Sequence, residues 1–377
     1  MSFDPEVLRD FGGAIQKLIQ GVSLDRRECY SYFSQILKNE QPDLHQGAFL
    51  AALVSKGETA EEIAGVWQAI DELDTVHPPL PWQGPLMENC GTGMDQLKTF
   101  NVSSAAAVVA AAGGVKIARH GARALTSLCG TVDLMEKVGI DVECEPETVV
   151  RSVVEAGIGL FNGMSPKVHP QALGRILSQI RFGSTLNIAA SLAHPLRPDC
   201  AVRGVYAADC LDKVCAVMRQ VGYRRGLVVY GWDLEKQRGM DEISILGETE
   251  VREFGPDGRL REYTLRPEEF GVQPVMLEAI AGSGNLEREA ERFLQVLAGL
   301  NHQACSDFTC LNAGAVLYIA GITPTLQEGV EHSRDIIHQG QAIKKMEEWV
   351  SLQQDPDHRG QQRFESLARK AGVDLSS

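Results

Sequence analysis

One stretch constrains this chain more than any other: Cys90-Gly-Thr-Gly-Met-Asp-Gln-Leu-Lys-Thr-Phe-Asn-Val-Ser-Ser104, running into the alanine-rich segment Ala105–Ala112. It reads as a glycine turn, a cap region and a helix of small side chains closed by Gly113 and Gly114. Gly91 and Gly93 lack a Cβ, so their backbone N–H groups can approach a ligand closely. Asn101, Ser103 and Ser104 suit the capping of the helix that follows. Loop amides and a helix N-terminus together make an anion site, so the stretch has the design of a phosphate cradle. A tight turn before a buried helix is the plainer alternative. Two glycines decide little, but GTG followed at this spacing by an aspartate and then TFN-x-SS is far more specific.

The chain has 377 residues, which suggests two domains or one large domain with a smaller partner. Its net charge of −14 argues against nonspecific nucleic-acid binding, which needs basic patches. A small basic pocket for a phosphorylated ligand is compatible with that charge. Nine cysteines, an odd number with no CxxC pair, read as reduced thiols of a cytoplasmic protein rather than disulfides or a zinc site. The N-terminus lacks the basic-then-apolar pattern of a secretion signal. No apolar run approaches the roughly 18 residues of a membrane span.

Along the chain, residues 1–75 read as a helical bundle. Apolar spacing predicts a helix over 7–20, a second with Ser23 as N-cap, a third from Asp43, and a fourth opened by the capping box Thr59-Ala-Glu-Glu62 and ending near Leu73. Pro78, Pro79, Pro81 and Pro85 mark a linker. Short β-branched runs then alternate with helices, which suggests a parallel sheet with crossover helices. Strands are expected near residues 114–118, 157–162, 226–230, 241–254 and 261–265. Helices are expected over 132–138, 148–156, 209–219, 285–298, 307–321 and 326–353, with 167–200 helix-like.

Three further motifs carry chemistry. Arg119-His-Gly-Ala-Arg-Ala-Leu-Thr-Ser-Leu-Cys-Gly130 leaves the end of a strand, the place where α/β sheets bind ligands. Arg119 and Arg123 offer multiple donors to phosphate, and Thr126, Ser127 and Thr131 add hydroxyls. A surface loop with incidental charges is the alternative. In Gly239-Met-Asp-Glu-Ile-Ser244, adjacent carboxylates at a strand entrance suit Mg2+, a hard ion that favours oxygen ligands, although Asp-Glu pairs are common. The segment 307–321 reads as a buried architectural helix in which Asn312 is placed to make an interhelical hydrogen bond.

With these residues in view, the chain resembles the anthranilate phosphoribosyltransferase family, glycosyltransferase family 3. The resemblance rests on 46–65 (QGAFLAALVSKGETAEEIAG), GTGMDQLKTFNVSS, RHGARALTSLCGTVDLMEKVG, GMDEIS and LNAGAVLYIAG, in that order. It implies an α/β protein of nucleoside phosphorylase/phosphoribosyltransferase type, with a small helical lobe and a large lobe built on a mixed, mainly parallel sheet. The helical domain would be 1–78, completed by about 167–195. The phosphoribosyl-binding domain would be 79–353, and 354–377 a C-terminal extension. The implied reaction transfers phosphoribose from phosphoribosyl pyrophosphate (PRPP) to a nitrogen acceptor, with Mg2+, in a homodimer joined through the helical lobe.

The resemblance also assigns residues. Gly91, Thr92, Gly93 and Asp95 would line the pyrophosphate and ribose site. Asn101, Ser103, Ser104 and Thr131 would bind the PRPP phosphates, as would Arg119, with Ser103, Asp241 and Glu242 near magnesium. Arg119 stands where the family's KHGN motif has lysine, and with Asp95 would be catalytic. His120, Ala122, His169, Arg175 and Arg181 fall at the acceptor. That side departs from the pattern. The family's GTGGDG is GTGMDQ here, the KHGN asparagine is Ala122, and Gln179 falls where an arginine for the anthranilate carboxylate is expected. Intact donor chemistry with an altered acceptor is therefore the expectation. A nucleoside phosphorylase and a non-catalytic nucleic-acid-binding relative are the competing readings.

Overall fold

The computed structural model describes residues 4–123 and 130–375. Thr126, Ser127 and Cys129 lie outside the described residues. The chain forms two compact units, Met1–His77 with Gly163–Arg197 and Asp212–Gly222, and Pro78–Asn162 with Pro198–Leu211 and Tyr223–Ser377. No helix among the described residues is long and apolar enough to cross a membrane.

The first unit is helical. Its helices Pro5–Ile19, Arg26–Leu37, Asp43–Lys56 and Ala60–Leu73 match the expected four. The cap of the second is Asp25, not Ser23, because the Asp25 carboxylate and Glu28 form a reciprocal capping box. The Thr59/Glu62 box forms as expected. Glu62 does more than cap. Fully buried, it accepts from Leu24 N–H at 2.9 Å and from Lys56 Nζ at 2.8 Å, which ties the first loop to the fourth helix. Gly65 lets that helix cross the second closely, since a Cβ there would sit 2.5 Å from Arg26 O. The returning segment contributes Leu173–Ile180 and Leu186–Leu192. The first of these is capped from far along the chain: the Asp74 carboxylate accepts the N–H groups of Gln171, Ala172 (3.0 Å) and Leu173 (2.7 Å).

The second unit is built on strands β1 Met87–Gly91, β2 Ile117–Gly121, β3 Ile158–Asn162, β4 Cys200–Gly204, β5 Arg225–Trp232, β6 Gly239–Met240, β7 Thr249–Phe254 and β8 Leu260–Leu265. They lie in the order β3-β2-β1-β4-β5-β7-β8, with β6 beside β5. The five strands from β3 to β5 run parallel, while β6, β7 and β8 add antiparallel pairs, so the sheet is mixed and mainly parallel. The alanine helix Val102–Ala112 is buried almost all round, with Ala105 through Ala110 at 0% exposure. Small side chains let it sit close under the sheet and against the helix Gln303–Ala320.

Three expectations change here. The 241–254 segment is not one strand: Ser244 Oγ donates to Trp232 O and accepts from Leu246 N–H, which folds 241–248 into a turn before β7. The 326–353 helix is two, Leu326–His338 and Gln341–Leu352, broken where Gly340 takes a left-handed φ of 69°. The C-terminal 354–375 is part of this unit rather than an appendage. Its helix Arg359–Ala371 buries Phe364, Leu367 and Ala368, and crosses so close to Gly139 that a Cβ there would sit 2.4 Å from Gly360 O.

Candidate functional site

Strands β1 and β4 end side by side, with Gly91 opposite Gly204 in register. Ligands in α/β sheets bind outside such carboxyl ends. The chain after β1 turns through Thr92 and Gly93 into the N-terminus of the alanine helix, and Thr92 N–H donates to Gly204 O at 3.0 Å. The loop is then pinned at its far side, where Phe100 N–H donates to Ile280 O at 2.7 Å and Gly282 N–H to Lys98 O at 3.0 Å. Arg292 stacks over the Phe100 ring at 5.2 Å.

The acidic pair lies across these strand ends because three glycines leave room for it. A Cβ at Gly91 would stand 2.0 Å from Asp241 Oδ2, one at Gly204 1.6 Å from Asp241 O, and one at Gly231 2.4 Å from Glu242 O. Gly93 N–H donates to Asp241 Oδ2 at 2.7 Å, so in this structure an internal carboxylate holds an amide of the anion cradle. Asp95, also in the loop, bonds Lys98 at 3.1 Å. Burial and the nearby Asp241 charge push the Asp95 carboxyl up to about 7. Burial raises Asp241 too. Burial, then Asp241 and Asp95, hold Glu242 well above the usual carboxylate range, against the opposing pull of Arg119 and a bond with Ser103. The three acids thus raise one another's pKa, and a cation nearby would relieve that repulsion.

Arg119 is 3% exposed, and burial lowers its pKa. It reaches the site from beneath. Its Nη1 donates to Ser104 Oγ at 2.6 Å and its Nη2 to Ser103 Oγ at 3.2 Å. Ser104 is fully buried on this contact, while Ser103 stays part-exposed at the helix start. Asn101 occupies the N-cap position, but its side chain makes no capping bond. Asn89 Nδ2 donates to Ser103 O at 2.7 Å from β1. Asn89 Oδ1 and Thr92 Oγ1 are buried without a hydrogen-bond partner in the structure.

The structure therefore gathers Gly91, Thr92, Gly93, Ser103, Ser104, Arg119, Asp241 and Glu242, with Asp95 close in charge. Thr131 begins the helix after β2, its Cγ2 3.3 Å from where a Gly121 Cβ would stand. His120 follows Arg119 and alternates to the opposite face of β2, buried, while Ala122 is exposed beyond the strand end. Arg123 is not a free phosphate ligand: Glu136 at 2.8 Å and Asp133 at 3.2 Å hold it.

The residues expected at the acceptor from the helical unit have structural partners there. His169 is 4% exposed, with Nδ1 at 2.7 Å from Asp74 O. Arg175 donates to Gln46 Oε1 at 3.0 Å and to Ile36 O at 3.1 Å, closing the end of the second helix. Arg181 is exposed and ends the helix Leu173–Ile180 in a left-handed conformation, φ 43°. Sequence reasoning missed Asn89 and the glycines of β4 and β5. Their signal, glycine at a strand end and a polar residue inside an apolar strand, is readable only with register in hand.

A parallel sheet whose strand ends meet a glycine loop, a helix N-terminus and an acidic pair defines an α/β protein built to hold an anionic ligand with a cation. The chain belongs to the glycosyl transferase family: residues 83–343 match its a/b domain and residues 13–73 its helical bundle domain. It is 33% identical over 354 residues to the anthranilate phosphoribosyltransferase of Methanothermobacter marburgensis, covering 92% of this chain and 99% of that protein. The crystal structure of anthranilate phosphoribosyltransferase from Thermus thermophilus superposes with a TM-score of 0.80 at 33% identity, over 90% of this chain and 98% of that one. The Saccharomyces cerevisiae enzyme in complex with PRPP and Mg superposes at 0.78, over 91% and 98%; at 22% identity that is a likeness of fold.

Proposed function

We propose that this chain is a magnesium-dependent phosphoribosyltransferase, moving phosphoribose from PRPP to the nitrogen of anthranilate or a related aromatic acceptor and releasing pyrophosphate. One observation carries the reading: Asp241 and Glu242 are laid over the ends of β1, β4 and β5, against the Gly91–Asp95 loop and Ser103. The name shared by relatives at about one-third identity supports it.

The loop amides and the helix N-terminus bind the donor's phosphates. Ser103, oriented by Arg119 and Asn89, presents its hydroxyl at the same point. Asp241, Glu242 and Ser103 are the groups to hold Mg2+. Held through so few protein groups, Mg2+ would keep waters and substrate phosphate in its shell. When bound, Mg2+ supplies charge neutralisation to the departing pyrophosphate. The carbon–oxygen bond to pyrophosphate breaks with its electron pair leaving on oxygen, and the acceptor nitrogen forms the new bond to the same carbon and releases one proton, to solvent or to the departing pyrophosphate. Such an oxocarbenium-like step asks the protein for positioning and fixed charge rather than for a nucleophile.

His120 and Ala122 are the residues of the α/β unit proposed for the acceptor. Alanine at 122 withdraws an amide that the family uses, so anthranilate would be held more weakly than in relatives. We place the protein in the cytoplasm, as a homodimer through its helical unit, where Leu44 and Ile19 are 86% and 66% exposed. Calorimetry with PRPP, with and without Mg2+, tests the donor half. Magnesium-dependent binding that disappears in an Asp241→Ala/Glu242→Ala double variant is the expected result. No wild-type binding at millimolar PRPP overturns the reading.

A further inference from the structure

The helix Gln303–Ala320 is apolar nearly throughout, and Asn312 is buried in its middle at 3% exposure. The side-chain amide closes a two-way clamp on one residue of a distant turn. Ile243 N–H donates to Asn312 Oδ1 at 3.0 Å, and Asn312 Nδ2 donates to Ile243 O at 3.0 Å. The second Nδ2 hydrogen reaches Phe308 O of its own helix at 3.0 Å, which fixes the rotamer. Ile243 directly follows Glu242.

We infer that Asn312 is a positioning residue for the Asp241–Glu242 pair, a step that rests on the donor-site reading above. Three features carry it. The turn has no regular ladder at this point, so the backbone at 243 is held by a side chain instead of by a strand. The platform is rigid: two residues on, Gly314 packs so tightly on the next helix that a Cβ would stand 2.6 Å from Val330 N, and Gly329 closes the contact from the other side. The free space beside Glu242 is small. Asn312, Glu242, Asn89, Ser103 and Gly204 line a cavity of about 10 Å³, the size of one water. The glycines of β1, β4 and β5 admit the acidic turn from the strand side, and Asn312 sets its position from the helix side.

Replacing Asn312 by leucine keeps the branched shape and heavy-atom count, adds some volume, and removes both bonds, leaving the Ile243 N–H and C=O without them. PRPP would be titrated calorimetrically into wild type and Asn312→Leu across a Mg2+ series, with circular dichroism confirming the fold. The Mg2+ midpoint for PRPP binding is expected to rise at least fivefold. PRPP binding measured without Mg2+ stays within twofold of the wild-type value, and amide exchange at Ile243 accelerates. A purely architectural asparagine would lower stability without separating these two binding measurements. If the leucine variant does not fold, Asn312→Ala carries the same comparison. A folded variant with the wild-type Mg2+ midpoint overturns the inference while leaving the donor-site reading intact. A wild-type protein with no magnesium-dependent PRPP binding overturns both.

Discussion

Gly204 and Asp241 fit together only because Gly204 has no side chain: a Cβ there would sit 1.6 Å from the Asp241 carbonyl oxygen. The end of β4 is therefore shaped by the acidic turn lying on it. Gly204→Ala forces that turn away. Overpacking of this kind costs about 1–3 kcal/mol, and magnesium-dependent PRPP binding should fall further than stability does. Urea unfolding and calorimetry on one preparation separate the two. Gly12→Ala, in an open stretch of the first helix with nothing within 4 Å, is the control and should gain about 0.5–1 kcal/mol.

Arg119 works through the serines it touches. Arg119→Met removes donors to Ser103 and Ser104. Hydrogen bonds to a charged group are worth about 1.5–3 kcal/mol, so PRPP affinity should drop by one to two factors of ten. Lysine at this position restores charge but not two parallel donors, and should recover only part. Equal affinity in all three proteins would remove Arg119 from the donor site.

Met94 holds a left-handed φ of 70° with its side chain 47% exposed. Such a backbone costs a residue with a Cβ about 1–2 kcal/mol, whereas glycine adopts it freely but loses about 0.4–1 kcal/mol through the unfolded chain. Met94→Gly should therefore stabilise by about 0–1.6 kcal/mol and leave PRPP binding no weaker. A lower urea midpoint would show that the methionine makes a contact that offsets its strain.

Burial lowers the pKa of His169, chiefly by disfavouring the charged ring. A histidine whose folded value lies below its unfolded value contributes stability that is present above the unfolded pKa and lost as pH falls through the folded one. The protein should thus lose stability below about pH 6.5, and His169→Gln should flatten that slope. Melting temperatures from pH 5 to 8 read it directly. An unchanged slope would assign the acid sensitivity elsewhere.

Arg175→Ala offers a matched test of placement. Its bonds to Gln46 and Ile36 imply a stability loss of about 1–2 kcal/mol with the acceptor KM unchanged. A raised KM at unchanged stability would return Arg175 to the acceptor.

The local signals of this chain were readable without coordinates. The Thr59/Glu62 box, the proline linker, the alanine helix and the alternation of strands and helices each depend on residues a few positions apart, where backbone geometry fixes who meets whom. The resemblance in ordered motifs then pointed to the family. The remaining contacts join distant positions. Asp74 caps the helix at Leu173, and Asn312 clamps Ile243. Gly204 yields to Asp241, and Arg119 turns inward to two serines. These contacts follow from sheet register and from the depth at which helices cross. Both are set by the packing of the whole unit, and no window of sequence contains them.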